Sequence, residues 1–166
     1  FVARDGSAVA AQSRLTLPIL VCNTSPQLAL LGTNSASITN NEPASLAKGS
    51  DFGLGPWNQP RTNIFSILNN GSAPLSITNW TTHGSGAAAF QLFDVPSTIE
   101  AGGISNFAVV FAPSVPGAYP ASISFDSDAI APQTNILLAG TAGYTLTLAS
   151  DYGTPDPSVG SHIHIP

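Results

Sequence analysis

The sequence predicts an all-β protein, an antiparallel β-sandwich built from short strands. Three observations carry the prediction. Apolar and polar residues alternate at period two in one segment after another, as in Ala121-Ser122-Ile123-Ser124-Phe125, which is the pattern of a half-buried strand. Clusters of Gly, Pro and Asn punctuate these segments at about ten-residue spacing. No amphipathic run is long enough for a helix.

Taken in order, residues 1–24 carry little pattern and read as a leader or the arm of a preceding segment. QLALLGT (27–33) is a short apolar strand closed by Gly32, and SASIT (35–39) follows with Ala36 and Ile38 on one side. NNEP (40–43) is a turn by composition. Residues 46–57, rich in Gly and ending near Pro56, read as an irregular edge segment anchored by Phe52 and Leu54. Residues 61–69 form the first strong strand, with Phe65 and Ile67 on one face and Ile64, Ser66 and Leu68 on the other. Asn69-Asn70-Gly71-Ser72 supplies residues tolerant of positive φ for a tight reversal. Leu75, Ile77 and Trp80 line the inward side of the next strand, and HGSGAAA (83–89) reads as a flexible connection. FQLF (90–93) and STIE (97–100) are separated by Pro96. Residues 104–111 give the clearest strand, with Phe107, Val109 and Phe111 inward. Pro113 and Pro116-Gly117 break it, 121–125 form the next strand, and 134–140 close the set with Ile136 and Leu138.

Length and composition bound the class. The chain of 166 residues holds one sandwich with flanking segments. Apolar residues make up 43%, enough for a core, while charged residues make up 8%, about a third of the usual fraction. Ser, Thr, Asn, Gln and Gly must wet the surface instead, as expected of a secreted bacterial structural protein. The four basic residues, Arg4, Arg14, Lys48 and Arg61, are scattered among nine acids. Nucleic-acid binding needs several cations on one face, so it is excluded, and anionic membranes are disfavoured for the same reason. The single Cys22 forms no intrachain disulfide and reads as a small hydrophobe in the apolar run 15–22. That run holds Pro18 and falls short of the roughly 18 residues a membrane helix needs, so no membrane insertion is expected. The start at Phe1 and the stop at Pro166 read as those of a piece of a longer protein.

The string Phe65-Ser66-Ile67-Leu68-Asn69-Asn70-Gly71-Ser72-Ala73-Pro74-Leu75-Ser76-Ile77 resembles the F-x-I-x-N-x-G-x-x-P-L-x-I signature of ASH-type immunoglobulin-like domains, called choice-of-anchor D domains in bacteria. Residues 99–103 ahead of Phe107-Ala108-Val109-Val110-Phe111-Ala112-Pro113 extend the match. So do Gly117, Ile123 and the closing Leu138-Ala139-Gly140-Thr141, and upstream 27–32, Ile38 and Ser50-Asp51-Phe52-Gly53. The resemblance covers roughly residues 26–142. Ala101 stands where the family often has Pro, and Ser127-Asp128-Ala129 replaces its usual Asn-Asp-Pro turn. The resemblance implies an immunoglobulin-like antiparallel β-sandwich of about seven strands, with no active site and no cofactor, repeated in tandem in large secreted or surface-anchored bacterial proteins. The expected organisation is 1–24 as leader, 25–142 as the sandwich, and 143–166 as the start of a second β-repeat or a C-terminal hairpin.

No catalytic constellation accompanies this pattern. A Ser–His–Asp arrangement would need His83, His162 or His164 beside a serine and a carboxylate, and there is no G-x-S-x-G elbow. His83 reads as a solvated residue in a Gly/Ser loop. His162 and His164, at i and i+2, share one strand face and are spaced for two metal ligands without an evident third; a strand terminus is the simpler reading. Asp126 and Asp128 flank Ser127 as in oxygen-rich calcium loops, with Asp151 and Asp156 the next carboxylates, but turn aspartates commonly cap their own backbone. Asn23, Asn70 and Asn79 head N-x-S/T triplets, as so Asn-rich a chain would by chance. Catalytic, cofactor-binding and metal-binding residues are therefore all set at none.

The outward-facing apolar residues Ile64, Leu68, Val110 and Leu137 would be wet in a two-layer sandwich unless something covers them. Burying each contributes about 1.5–3 kcal/mol, and the flanks 1–24 and 143–166 are the expected cover, ahead of a partner chain. The expected protein is a non-enzymatic structural or adhesive module at the bacterial cell surface or outside the cell, joined to neighbouring repeat domains or identical chains. The alternative is a carbohydrate- or protein-binding module, with Trp57, Trp80, Tyr119 and Tyr152 as its aromatic candidates.

Overall fold

The computed structural model describes residues 25–131, 135–148 and 160–165. The expected leader 1–24, with Cys22 and Asn23, and the stretch holding Asp151, Tyr152 and Asp156 lie outside the described residues. The described strands are β1 (Leu28–Leu31), β2 (Ser37–Ile38), β3 (Asp51–Pro56), β4 (Arg61–Asn69), β5 (Leu75–His83), β6 (Phe90–Phe93), β7 (Thr98–Ile99), β8 (Ile104–Phe111), β9 (Gly117–Ala118), β10 (Ala121–Ser127), β11 (Asn135–Leu148) and β12 (Gly160–His164). They form two layers. One runs β2-β1-β4-β8-β6, and the other runs β12-β11-β10-β5-β7. β3 lies parallel along β11, and β9 pairs antiparallel with β11. This is an immunoglobulin-like sandwich, with the period-two alternation of β4, β8 and β10 setting its inner faces.

The core sits between the layers. Phe65, Ile67, Phe107, Val109, Phe111, Ile123, Phe125 and Ile136 are buried, as the alternation predicts. Phe65 stacks on Phe107 with ring centroids 5.6 Å apart, and Phe90 tilts against Phe111 at 4.9 Å. Aromatic pairs at these separations add stability beyond the area they bury.

Several local expectations are corrected. Segment 46–57 is an irregular edge, as expected: β3 pairs with β11 at the side of its sheet and its register shifts between Asp51 and Leu54. Only one of its two expected anchors is in the core. Phe52 is buried against Phe90 and Phe111, whereas Leu54 is 48% exposed. Residues two apart share a face in a regular strand, but the register with β11 shifts between Asp51 and Leu54 and Gly53 takes φ +67, so the extra residue turns Leu54 outward while Phe52 stays inward. The tract 83–89 is not a loose connection: His83 ends β5, Gly86 caps a single turn of 3-10 helix at Ala87–Ala89, and Ala89 is buried. The closing strand does not stop at 140 but continues to Leu148.

The Asn70-Gly71 reversal works by a different device from the one expected. Neither residue has positive φ. A Cβ on Gly71 would collide with the Ser25 carbonyl oxygen and crowd the Gln27 nitrogen. Glycine is needed there because another backbone segment passes against it. That segment is held by Asn70 N–H donating to Gln27 O (2.8 Å) and Ser72 N–H donating to Ser25 O (3.2 Å).

Trp80 points inward, although strict alternation from Ile77 would send Asn79 there instead. A β-bulge resolves this. Thr78 pairs with Asp126 and Thr81 with Ser124, so two residues of β5 face one of β10. Asn79 takes φ +54, and the extra residue shifts Trp80 onto the core side. Its ring lies 4.5 Å from Phe125 and 5.1 Å from Phe107.

Candidate functional site

Two polar side chains organise the inside of the sandwich, and neither stood out in the sequence. Asn69 ends β4 completely buried. Its Nδ2 donates to the carbonyls of Ala73 (2.8 Å), Ile99 (3.0 Å) and Glu100 (3.2 Å). Its Oδ1 accepts from Gln27 N–H (3.2 Å) and Gly71 N–H (3.0 Å). One carboxamide thus ties the start of β1, the β4–β5 turn and β7 together. Arg61 opens β4 and donates through Nη1 to Phe52 O (2.6 Å) and Gly53 O (3.0 Å), and through Nη2 to Thr141 O (3.0 Å). Its guanidinium lies 5.0 Å over the Phe111 ring, and its buried Nε has no partner in the structure. Burial lowers the Arg61 pKa, opposed by the Asp51 charge. Both residues are framework groups that hold strands in place.

The other candidates are dispersed over the surface. His83 Nε2 lies 2.8 Å from Ser124 Oγ and 2.9 Å from Thr81 Oγ1, on the exposed face where β5 meets β10. A Ser–His contact therefore exists, but Ser124 and Thr81 meet the same ring nitrogen, so neither hydroxyl takes the place of a triad carboxylate, which bonds Nδ1. Asp126 accepts from Asn79 Nδ2 (2.7 Å) and Asp128 from Ser76 N–H (2.8 Å), so each carboxylate braces β5. Glu42, held by Lys48 and the Thr39 N–H, has its carboxyl below the usual carboxylate range. Among the described residues no three His, Cys, Asp or Glu gather as a metal site.

The aromatic candidates divide in the same way. Trp80 packs in the core and its Nε1 donates to Pro96 O (3.3 Å). Tyr119 sits edge-on to Phe111 at 5.4 Å, with its hydroxyl on Val115 O (2.6 Å). Trp57 is half-buried, its N–H on Gly143 O (3.1 Å). Tyr152 lies outside the described residues.

The outward apolar set is only partly covered. Leu68, Val110 and Leu137 are half-buried, while Ile64 is 57% exposed. Ile64 borders a shallow hollow of about 120 Å³ with Asp94, Asn106 and Ala108. Phe93 and Ile104 widen this apolar surface.

The feature that departs from a closed sandwich is the C-terminal hairpin. β11 is buried at Ile136, Leu138, Gly140 and Ala142. From Tyr144 onward, Tyr144, Thr145, Leu146 and Thr147 are all exposed, so both faces of the strand have left the core. There β11 pairs with β12, from Tyr144 opposite His164 to Leu148 opposite Gly160. Among the described residues β12 ends its sheet. Of the other strands with a single pairing partner, β2, β6, β7 and β9 are four residues or shorter, which protects a sheet edge, and the six-residue β3 ends in Pro56. β12 has five residues and carries no Lys, Arg or Pro.

No family model matches the chain, and no curated protein matches it. Solved structures do. A protein of unknown function from Porphyromonas gingivalis superposes with TM-score 0.53 at 19% identity, over 76% of this chain and 51% of that one, so this chain spans about half its length. The ASH/PapD-like domain of human CEP192 superposes with TM-score 0.50 at 12% identity, over 81% of this chain and 96% of that domain. An MSP family member of C. elegans matches at TM-score 0.38 and 13% identity, over 56% of this chain. The protein has an immunoglobulin-like β-sandwich fold, similar to that of the ASH/PapD-like domain. At these identities the likeness shows the fold alone.

Proposed function

We propose that this chain is a non-enzymatic structural or adhesive module of an exported bacterial surface or extracellular protein, joined to neighbouring repeats or identical chains through its flanking segments. The observation that carries the reading is the β11–β12 hairpin. It projects from the sandwich with both faces of β11 open and leaves a β-strand edge without the charged or proline residues that usually block pairing. The scarcity of charge over the whole chain supports the exported setting. The described aromatic candidates for the alternative, a carbohydrate- or protein-binding module, are not gathered into a platform. Trp80 and Tyr119 pack their rings against the core, and Trp57 lies elsewhere.

Sedimentation velocity of the full chain at rising concentration, in buffer with divalent ions and no chelator, tests the reading. The mass should rise with concentration. Ile163→Pro should abolish that rise, because proline removes a ladder donor. A chain that stays monomeric at every concentration counts against assembly through this edge.

A further inference from the structure

We infer that His162 and His164 form a chelating pair for a divalent transition-metal ion, and that the loaded pair joins two copies of the chain through their β12 edges. The inference rests on the assembly reading above and names its partner and its trigger.

Residues two apart on a strand share a face and stand about 6.6 Å apart along it. Two imidazoles at that spacing bracket one ion, each reaching it at about 2.0–2.1 Å. Imidazole suits zinc, copper and nickel, whereas calcium and magnesium call for oxygen ligands. The register sets Leu146 opposite His162 and Tyr144 opposite His164. Directly paired residues lie on the same face, so both histidines share the hairpin face on which Tyr144 and Leu146 are each 51% exposed. His164 is exposed and His162 half-buried. Ile163, between them, belongs to the opposite face. Its Cγ2 lies 2.7 Å from where a Cβ on Gly143 would stand, so glycine there lets Ile163 pack tightly and anchor β12.

The described residues offer an incomplete ligand set. Among the described residues no third His, Cys, Asp or Glu joins the pair, and zinc takes four ligands. A second copy supplies the remainder. β12 ends its sheet, so β12 of another chain fits alongside it in antiparallel register. With Ile163 opposite the partner's Ile163, a two-fold axis normal to the sheet places each His162 opposite the partner's His164 at about 4.5–5.5 Å. All four imidazoles then rise from one face toward one ion. The contact is isologous, so it closes as a dimer instead of propagating as a filament.

The test titrates the full chain with zinc chloride by calorimetry and follows its mass by sedimentation velocity in zinc and in EDTA. One ion should bind per two chains, with the monomer becoming a dimer in zinc and reverting in EDTA. His162→Ala and His164→Ala should each weaken zinc binding at least about tenfold, since even outer-shell changes cost that much. Both should remain monomeric in zinc, and His164→Ala, at an exposed residue, should do so with an unchanged circular dichroism melt. Zinc binding retained by the double variant overturns the site, as does a native chain that binds no zinc. One ion per chain with no change in mass overturns the bridge. Association that persists in EDTA and in both variants overturns the role of the ion and leaves strand-edge assembly standing. Absence of association under every condition removes both.

Discussion

Asn69 shows what a single polar group does when water cannot reach it. Its carboxamide makes hydrogen bonds to five backbone groups drawn from three parts of the chain. Truncating it leaves the buried Ile99 carbonyl and four partly buried groups without their side-chain partner, and each orphan that water does not reach costs about 1–3 kcal/mol. Asn69→Ala should therefore lower unfolding stability by about 3 kcal/mol or more, read as a shift of the urea midpoint at unchanged slope. The neighbouring turn gives a sharper contrast. Gly71→Ala forces a methyl into the backbone of 25–27 and should cost about 1–3 kcal/mol. Asn70→Ala, at an exposed residue with ordinary φ, should change stability by less than about 0.5 kcal/mol. Equal effects from the two would mean that the turn needs a left-handed residue after all.

At the scale of the element, the bulge in β5 decides which way an indole points. Asn79 pays for φ +54 and returns Trp80 to the core. A β-branched residue is strongly disfavoured in that conformation, so Asn79→Val should cost about 1–2 kcal/mol, while Asn79→Gly should stay within about 1 kcal/mol. The valine variant should also shift Trp80 fluorescence to longer wavelength as the ring loosens from Phe107 and Phe125. An unshifted spectrum would mean that Trp80 is held by its rings and by Pro96 alone. The same elements show what was legible in the sequence. β4, β8 and β10 could be read because large apolar residues recur at every second position, with serines between them in β10. β3 could not, because its glycines and Pro56 look like a loop, and its pairing is parallel with a distant strand, from Asp51 opposite Ala139 to Pro56 opposite Gly143. Asn69 was hidden in an Asn-Asn-Gly string that reads as a turn. Period two from Phe65 and Ile67 does place it on the core face, and that was the available signal. The i, i+2 spacing of His162 and His164 was visible, but the residues opposite them were not, since cross-strand register depends on where the chain turns.

Across the whole molecule, charge is too sparse to keep copies apart. Nine acids face four bases, and the net charge is −5 at neutral pH. Among the described side chains the ion pair is Lys48 with Glu42, so salt should have little effect on the melting temperature. Repulsion vanishes near the isoelectric point of about 4.7, and proteins without net charge associate through whatever apolar surface they expose. The outer face of the β4–β8–β6 layer is that surface here. Ile64 and Phe93 both lie opposite Ala108, and Ile104 lies opposite Leu68. Light scattering should therefore peak near pH 4.7 and fall in an Ile64→Lys, Ile104→Lys double variant. The lysines break the patch and move the isoelectric point upward. The variant should melt within a few degrees of the native chain, because these side chains are 57% and 59% exposed and surface changes are worth roughly 0.5 kcal/mol each. Should scattering peak just as strongly at the variant's own isoelectric point, the contact lies elsewhere. The β12 edge, which the two lysines leave untouched, is then the surface to block next.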